Sequence, residues 1–323
     1  MIAIHQNKVL DVQANFSPEI EKQRIAALKK LKAIKKSQFN QKEKDYLILV
    51  IAAFKKTATN QIITSLPSDI NNLIISIGKV PPNSRFNNNG KAKKSLKKFI
   101  LDALNYKYKR TSFYPRYFRE IGIKTCVYCN SQLAISSKKT NNGYSSRFDV
   151  DHYHSKDDYP FLSICLFNLY PACAPCNRAK GIKEIEFELY TDVISKTLAS
   201  EYSFKLAPYS LSKYLTTKDS SEIHFEYKEP IYINPNAKNF RDVFNIEGIY
   251  KTQNDLIEEL IIKSQMYNNS YLKILKNNFS KLNLNPELFK RTLVGNYVKD
   301  KEMHKRPMSK FMQDIAKDLG VID

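Results

Sequence analysis

Two Cys-x-x-Cys pairs constrain the fold of this chain more than any other feature. Cys126 and Cys129 form the first pair, and Cys173 and Cys176 form the second. The two-residue spacing lets both sulfurs of one turn face a single ion, so four thiolates in two pairs suit tetrahedral zinc. The interval between the pairs is longer than in a simple zinc ribbon, and the sequence therefore predicts an insertion between two cysteine turns.

Disulfide bonds are the alternative to zinc for these cysteines. They suit small secreted domains, whereas this chain has 323 residues and no recognisable signal peptide. Structural zinc is therefore the favoured interpretation. The fifth cysteine, Cys165, lies in the apolar run FLSICLF and is expected to be a small buried hydrophobic residue.

The insertion carries an Asp-His dipeptide, Asp151 and His152, directly after a strand-like run at 147–150. A lone histidine is usually a packing residue, but a second apolar run at 161–169 and then a helix are expected to follow this one. Strand, strand and helix would place Asp151 and Asn177 on facing elements, where their oxygens could hold a hard cation such as Mg²⁺. His152 would then point at an attacking water and take its proton near neutral pH, while the cation stabilises the charge on a phosphate.

This order of residues resembles the HNH endonuclease superfamily, whose core is a ββα-metal finger. The resemblance covers roughly residues 120–185, and the run CNRAKG matches the end of the family motif. It implies that Asp151 and Asn177 are ligands of a catalytic Mg²⁺ or Mn²⁺ and that His152 is the general base. It also implies that Asn168 orients the loop carrying the base.

Lys156 and the dipeptide Tyr159-Pro160 match a subgroup of the superfamily. This subgroup resembles the nuclease subunits found beside ATPases in Septu-type and retron-linked anti-phage systems, which implies a role in phage defence and an ATPase subunit as partner. The chain departs from the subgroup at Ser155, where proline is usual, and at His154, an additional imidazole. A contact of His154 with the scissile phosphate or the metal and a spectator role both stay open.

The charge of the chain favours a polyanionic partner. The net charge is +20 and the isoelectric point is about 9.5. Residues 1–110 hold 22 Lys+Arg against 7 Asp+Glu, whereas the remaining residues hold 30 against 25. The basic N-terminal part is therefore predicted to bind phosphates without reading sequence, with a solvated lysine face or an AT-rich genome as the alternative. The predicted nucleic-acid contacts are Lys93, Lys94, Lys97 and Lys98, with Lys156, Arg178 and Lys180 in the finger.

The predicted fold class is mainly α with a small α+β finger that contains zinc. Three regions are expected: a basic helical region at 1–112, the nuclease finger at 113–205 and a mixed strand and helical region at 206–323. In the defence subgroup, the segment corresponding to 232–250 leads to a strand pair. The apolar spacing predicts helices at 18–36, 46–54, 60–80, 92–109, 286–299 and 307–319, and one or two helices at 253–280. It also predicts a loop or hairpin at 136–147 and a strand at 223–227.

Two functional classes follow from these features. The first is a metal-dependent endonuclease that hydrolyses phosphodiester bonds, with DNA favoured over RNA. The second is a non-catalytic zinc module that binds nucleic acid or protein. The intact set of Asp151, His152, Asn168 and Asn177 favours the enzyme, since a scaffold could lose these residues freely. We expect a cytoplasmic protein with no membrane partner; the oligomeric state is open.

Overall fold

The computed structural model describes residues 1–55, 61–86, 89–140, 143–267, 269–281 and 285–322. Helices dominate this part of the chain, and the strands are short. The helices are α1 (Gln6–Asn15), α2 (Ser17–Lys32), α3 (Gln41–Lys55), α4 (Pro67–Ile77), α5 (Leu96–Leu104), α6 (Tyr106–Ser112), α7 (Tyr114–Ile121), α8 (Ala174–Lys180), α9 (Ile194–Leu198), α10 (Pro208–Thr217), α11 (Phe240–Phe244), α12 (Ile246–Lys251), α13 (Asn254–Met266), α14 (Asn269–Lys281), α15 (Pro286–Val294) and α16 (Ser309–Asp318). The strands are β1 (Ile4–His5), β2 (Ser136–Lys138), β3 (Tyr144–Ser146), β4 (Asp149–His152), β5 (Leu169–Ala172), β6 (Tyr190–Thr191), β7 (Ser203–Leu206) and β8 (Phe225–Lys228).

The strands pair two by two, as β1 with β6, β2 with β3, β4 with β5, and β7 with β8. The chain divides into two compact units, each built from separate stretches of sequence. We call the unit made of 1–4, 122–135 and 172–323 the cysteine unit. We call the unit made of 5–121 and 136–171 the histidine unit. The predicted mainly helical fold is thus confirmed, while the three predicted regions stay a prediction.

The histidine unit has a helical core in which α2 packs against α3 and α5. The continuous apolar run at 46–54 predicted a buried helix, and this is confirmed by α3. The buried side chains recur at helical spacing and form one face of the helix, whereas Ile48 and Leu49 on the other face are 48% and 44% exposed. The buried residues of this run are Tyr46, Leu47, Val50, Ile51, Ala53 and Phe54.

The single helix predicted at 92–109 is wrong, because two helices occupy this segment. Helix α5 starts after Ser95, whose hydroxyl accepts a hydrogen bond from the Lys98 amide at 3.3 Å. It ends at Asn105, whose φ of 54° is in the left-handed region that asparagine tolerates better than most residues. Helix α6 begins directly after this break and buries Tyr106 and Lys109.

The strand predicted over 161–169 is also wrong, since the pairing partner of β4 is the later strand β5. Two short 3₁₀ turns occupy Pro160–Leu162 and Leu166–Asn168 instead. A short run in which nearly every residue is apolar shows no alternation of apolar and polar positions. Its sequence pattern therefore cannot distinguish a strand from compact turns. The predicted hairpin at 136–147 is confirmed by the antiparallel pair β2 and β3, with Ser136 opposite Ser146; residues 141–142 lie outside the described part.

The cysteine unit is built around the antiparallel pair β7 and β8, against which α16 packs. Two carboxylates on one face of α16 receive backbone amides of the strand. The Phe204 amide donates to Asp314 Oδ2 at 2.9 Å, and the Leu206 amide donates to Asp318 Oδ2 at 2.8 Å. These bonds satisfy amide groups at the free edge of β7. The rings of Phe204, Phe225, Tyr250 and Phe311 form the adjoining core.

The strand pair implied for 232–250 is not present, because α11 and α12 occupy most of this segment. Phe240 and Phe244 lie one helical turn apart and are both buried, which matches helical rather than strand spacing. Their rings pack against that of Tyr128, with centroid distances of 6.3 and 4.6 Å.

Within the described residues, no helix has both the length and the apolar character needed to cross a membrane.

Candidate metal centre and histidine site

The first cysteine turn is a tight hairpin of the cysteine unit. The Cys126 amide donates to Gln132 O at 2.9 Å, and the Asn130 amide donates to Cys126 O at 2.9 Å. Asn130 adopts a φ of 52°, which reverses the chain directly after Cys129. Its side-chain amide donates to Met303 O at 3.0 Å, which ties the turn to the C-terminal part of the unit.

The second cysteine turn is the start of α8. Cys173 precedes the first residue of the helix, and its carbonyl accepts the Asn177 amide at 2.9 Å. Cys176 follows within the first turn and is buried. A proline in the first turn lacks only an amide hydrogen that the helix start leaves unpaired, so Pro175 leaves the two thiols in place.

All four sulfur atoms lie within 4.8 Å of one another, and all four cysteines are buried. The Sγ atoms of Cys129 and Cys173 are 4.0 Å apart. Tetrahedral zinc with bonds of about 2.3 Å requires sulfurs about 3.8 Å apart, so the group could hold a zinc ion. The cysteines are free of disulfides, and Tyr250 donates its hydroxyl to Cys129 O at 2.7 Å.

The four thiols differ in the direction in which their pKa values are shifted. Hydrogen bonds from Cys126 lower the pKa of Cys129 and of Cys173, whereas burial raises the pKa of Cys126 and a bond to Cys126 raises that of Cys176. Ser131 also donates its hydroxyl to Cys129 Sγ at 3.1 Å. Four thiolates packed this closely repel one another, and a dication is the partner that lets all four ionise.

His152 lies at the end of β4 in the histidine unit and is 4% exposed. Its Nε2 lies 3.1 Å from Ser163 O. A carbonyl oxygen only accepts, so Nε2 carries a proton in this arrangement, and Nδ1 is the basic nitrogen of the neutral ring. The Tyr106 ring packs 4.8 Å from the imidazole, and its hydroxyl donates to Val150 O at 2.9 Å.

Asn168 fixes the backbone that follows His152. Its Oδ1 accepts the His154 amide at 2.7 Å, and its Nδ2 donates to His154 O at 3.1 Å and to Leu162 O at 3.2 Å. The Tyr153 amide donates to Asn168 O at 2.9 Å, so side chain and backbone hold the same loop. The His154 ring is half-buried, 4.8 Å from that of Tyr153.

The predicted cation ligands belong to different units. Asp151 is 5% exposed and lies in β4 of the histidine unit. Asn177 is half-buried and lies in α8 of the cysteine unit. Their joint binding of one cation therefore stays a prediction. Of the finger cations predicted to contact nucleic acid, Arg178 is exposed and Lys156 is half-buried, whereas Lys180 is only 1% exposed.

Three of the four lysines predicted at 93–98 to contact nucleic acid are paired with carboxylates of the chain. Lys94 and Lys98 both contact Asp102 at 2.9 Å, and Lys97 contacts Asp157 at 2.8 Å. The bond from Lys97 lowers the pKa of Asp157. Exposed pairs of this kind add little stability, but they reduce the positive potential that these side chains offer a phosphate.

Four residues that contact the cysteines or His152 were not predicted from the sequence. Ser131 could have been found, because a hydroxyl two residues after a zinc-ligand cysteine can donate to the sulfur. Asn130 also carries a signal, since asparagine tolerates the left-handed backbone of a tight turn. Tyr106 and Tyr250 carry none, because only tertiary packing brings them to His152 and Cys129.

These observations define a mainly helical protein with a buried four-cysteine centre. The chain is 35% identical over 69 residues to a protein from Bacillus thuringiensis described as "Septu protein PtuB". The match covers 21% of this chain and 24% of that relative, so the chain spans about a quarter of the length of the curated relative it matches. No family model matches the chain, and no solved structure matches it.

Proposed function

We propose that this chain is a metal-dependent endonuclease of the HNH type that hydrolyses phosphodiester bonds, with DNA as substrate, in bacterial defence against phages. The observation that carries the proposal is the orientation of His152. Its Nε2 is bonded to Ser163 O, and the loop after it is braced by Asn168. The similarity to a Septu protein supports the defence role.

His152 is proposed to act as the general base. The bond from Nε2 to Ser163 O fixes the tautomer and the plane of the ring, so that Nδ1 takes the proton of a water molecule. The imidazolium that forms keeps its donor bond to Ser163 O, and the carbonyl dipole stabilises the new charge. Tyr106 packs beside the ring and restricts its rotation.

Asp151 and Asn177 are proposed to hold Mg²⁺ or Mn²⁺, because a carboxylate and an amide offer the oxygen ligands these ions prefer. When bound, such an ion stabilises negative charge on the phosphate and on the leaving oxygen. The four cysteines are proposed to hold structural zinc, which their burial and sulfur spacing support. An ATPase subunit of a defence system is the proposed partner.

The test uses the purified chain with supercoiled plasmid, linear duplex DNA and RNA, each with Mg²⁺, with Mn²⁺ or with EDTA. Cleavage of DNA that needs the divalent ion and is lost in the His152→Ala variant would support the proposal. Cleavage that persists in this variant would assign the activity to another site or to a contaminant. Binding of DNA with no cleavage under any condition would favour the non-catalytic zinc module.

A further inference from the structure

A cavity of about 420 Å³ lies within the histidine unit, and His152 is not among the residues that line it. Helix α2 lines one side, and the end of α5 together with α6 lines the other. Lysine side chains at positions 22, 30 and 109 line it, together with polar groups that can donate or accept. The lining also includes Glu19, Gln23, Asn105, Tyr108 and Ser112.

Lys109 is the unusual residue of this cavity, because it is an ammonium group only 6% exposed. Its Nζ donates to Leu104 O at 2.7 Å. Among the described residues, no carboxylate forms an ion pair with it. Burial and, to a lesser degree, the nearby charge of Lys30 lower the pKa of Lys109 to about 8. An ammonium group has three donors, so the single carbonyl bond leaves donors for a ligand.

The surroundings add positive charge. Lys22 and Lys30 are exposed at the cavity, and neither forms an ion pair with a carboxylate of the described part of the chain. The lone lining carboxylate, Glu19, accepts two bonds from Arg116 at 2.6 and 2.8 Å and is neutralised by it. Buried charges are normally paired with an opposite charge. Lys109 is the buried one of the three ammonium groups at the cavity, so an anion bound beside it would supply the missing negative charge.

We propose that this cavity binds a small phosphorylated compound of nucleotide size. Its volume falls in the range of about 300–1,000 Å³ that holds small ligands. Lys22, Lys30 and Lys109 would neutralise the phosphates as point charges. Tyr108, 65% exposed at the cavity, offers a ring face on which a base can stack. A recessed Lys109 suits a terminal phosphate better than the backbone of a polymer, which must pass through an open groove. The proposal does not rest on the nuclease function.

Isothermal titration calorimetry of the full chain with ADP, pyrophosphate and adenosine tests this proposal. We expect ADP and pyrophosphate to bind and adenosine to bind far more weakly. The Lys109→Met variant should lose at least tenfold in affinity for ADP, and so should the double variant Lys22→Ala, Lys30→Ala. Because Lys22 and Lys30 are exposed, the double variant tests the site even if Lys109→Met fails to fold.

Matched controls are Lys107→Met on α6 and Lys29→Ala on α2, which remove exposed lysines of the same helices outside the cavity. Both should bind ADP like the parent. Failure of the parent to bind ADP and pyrophosphate would overturn the proposal, and so would equal affinity in parent, cavity variants and controls. A single-stranded oligonucleotide that binds through Lys109 while ADP does not would also overturn it and would assign the cavity to nucleic acid.

Discussion

The four-cysteine centre and the histidine site are assembled in opposite ways. Each cysteine turn is completed by its own neighbours: the Asn130 amide closes the first, and the start of α8 forms the second. His152 instead depends on distant residues, since its ring is held by Ser163 O and packs against Tyr106. The sequence spacing of the cysteines is enough to predict their two local turns, whereas the orientation of the His152 ring depends on tertiary packing.

The largest expected effect concerns the cysteine centre. Replacing Cys126 with Ser should remove zinc and unfold the cysteine unit, because structural zinc contributes about 10–16 kcal/mol of apparent binding free energy, as much as the whole stability of a typical domain. Zinc content by mass spectrometry and thermal unfolding by circular dichroism measure it. Cys165→Ala is the matched control, because Cys165 is buried in the histidine unit and should leave zinc in place. A zinc-free protein with an unchanged melting temperature would refute this prediction.

The next effect concerns catalysis at the histidine site. His152→Ala should lower the cleavage rate by on the order of a hundredfold or more, which is the usual contribution of a general base, and should leave zinc content unchanged. Initial rates on plasmid DNA measure the effect.

His154→Ala is the matched control for this change, since it removes the neighbouring imidazole. We expect it to keep most of the activity. If His154→Ala abolishes cleavage and His152→Ala does not, the assignment of the base within this segment is reversed.

A smaller effect, on the free energy of unfolding, is expected from replacing Asn168, which holds the loop after His152. Asn168→Ala removes one accepted and two donated hydrogen bonds and leaves His154 O and Leu162 O with fewer partners. We expect a loss of about 2–4 kcal/mol in the free energy of unfolding, measured with urea. Asn83→Ala is the comparison, because the half-buried Asn83 amide also donates to two backbone carbonyls. Equal losses in the two variants would mean that Asn168 has no special role in this loop.

The smallest effect concerns Lys93, Lys94, Lys97 and Lys98, at and before the start of α5. If all four predicted lysines bound phosphates, their joint replacement by Ala would reduce the salt slope of DNA binding by about 3.6. Lys94, Lys97 and Lys98 are already paired with Asp102 and Asp157, so we expect a reduction of about one or less. Binding measured across salt concentrations decides this. A reduction above three would show that the lysines leave their carboxylates for DNA.

The sequence predicted the parts of the structure that depend on local spacing. The cysteine cluster, the buried helix α3 and the hairpin at 136–147 follow from residues close together in the chain. The strand expected at 161–169 was misplaced, because a continuous apolar run shows no alternation of apolar and polar residues. The break at Asn105 was missed, since one asparagine does not reveal its backbone conformation. Asn168 lies in contact with the loop after His152, but the role assigned to it stays a prediction, as do those of Asp151, His152 and Asn177.

The chain path gives the cysteine centre a second consequence. Cys129 and Cys173 are 44 residues apart, and the stretch 136–171 between them leaves the cysteine unit, forms β4 with His152, and returns. An ion held by both cysteine turns would therefore close a covalent loop that contains the histidine. By the polymer estimate used for disulfides, such a closure removes about 4 kcal/mol of conformational freedom from the unfolded chain. Loss of the ion would open this loop, so the metal state of the four thiolates would govern how firmly the segment carrying His152 is held.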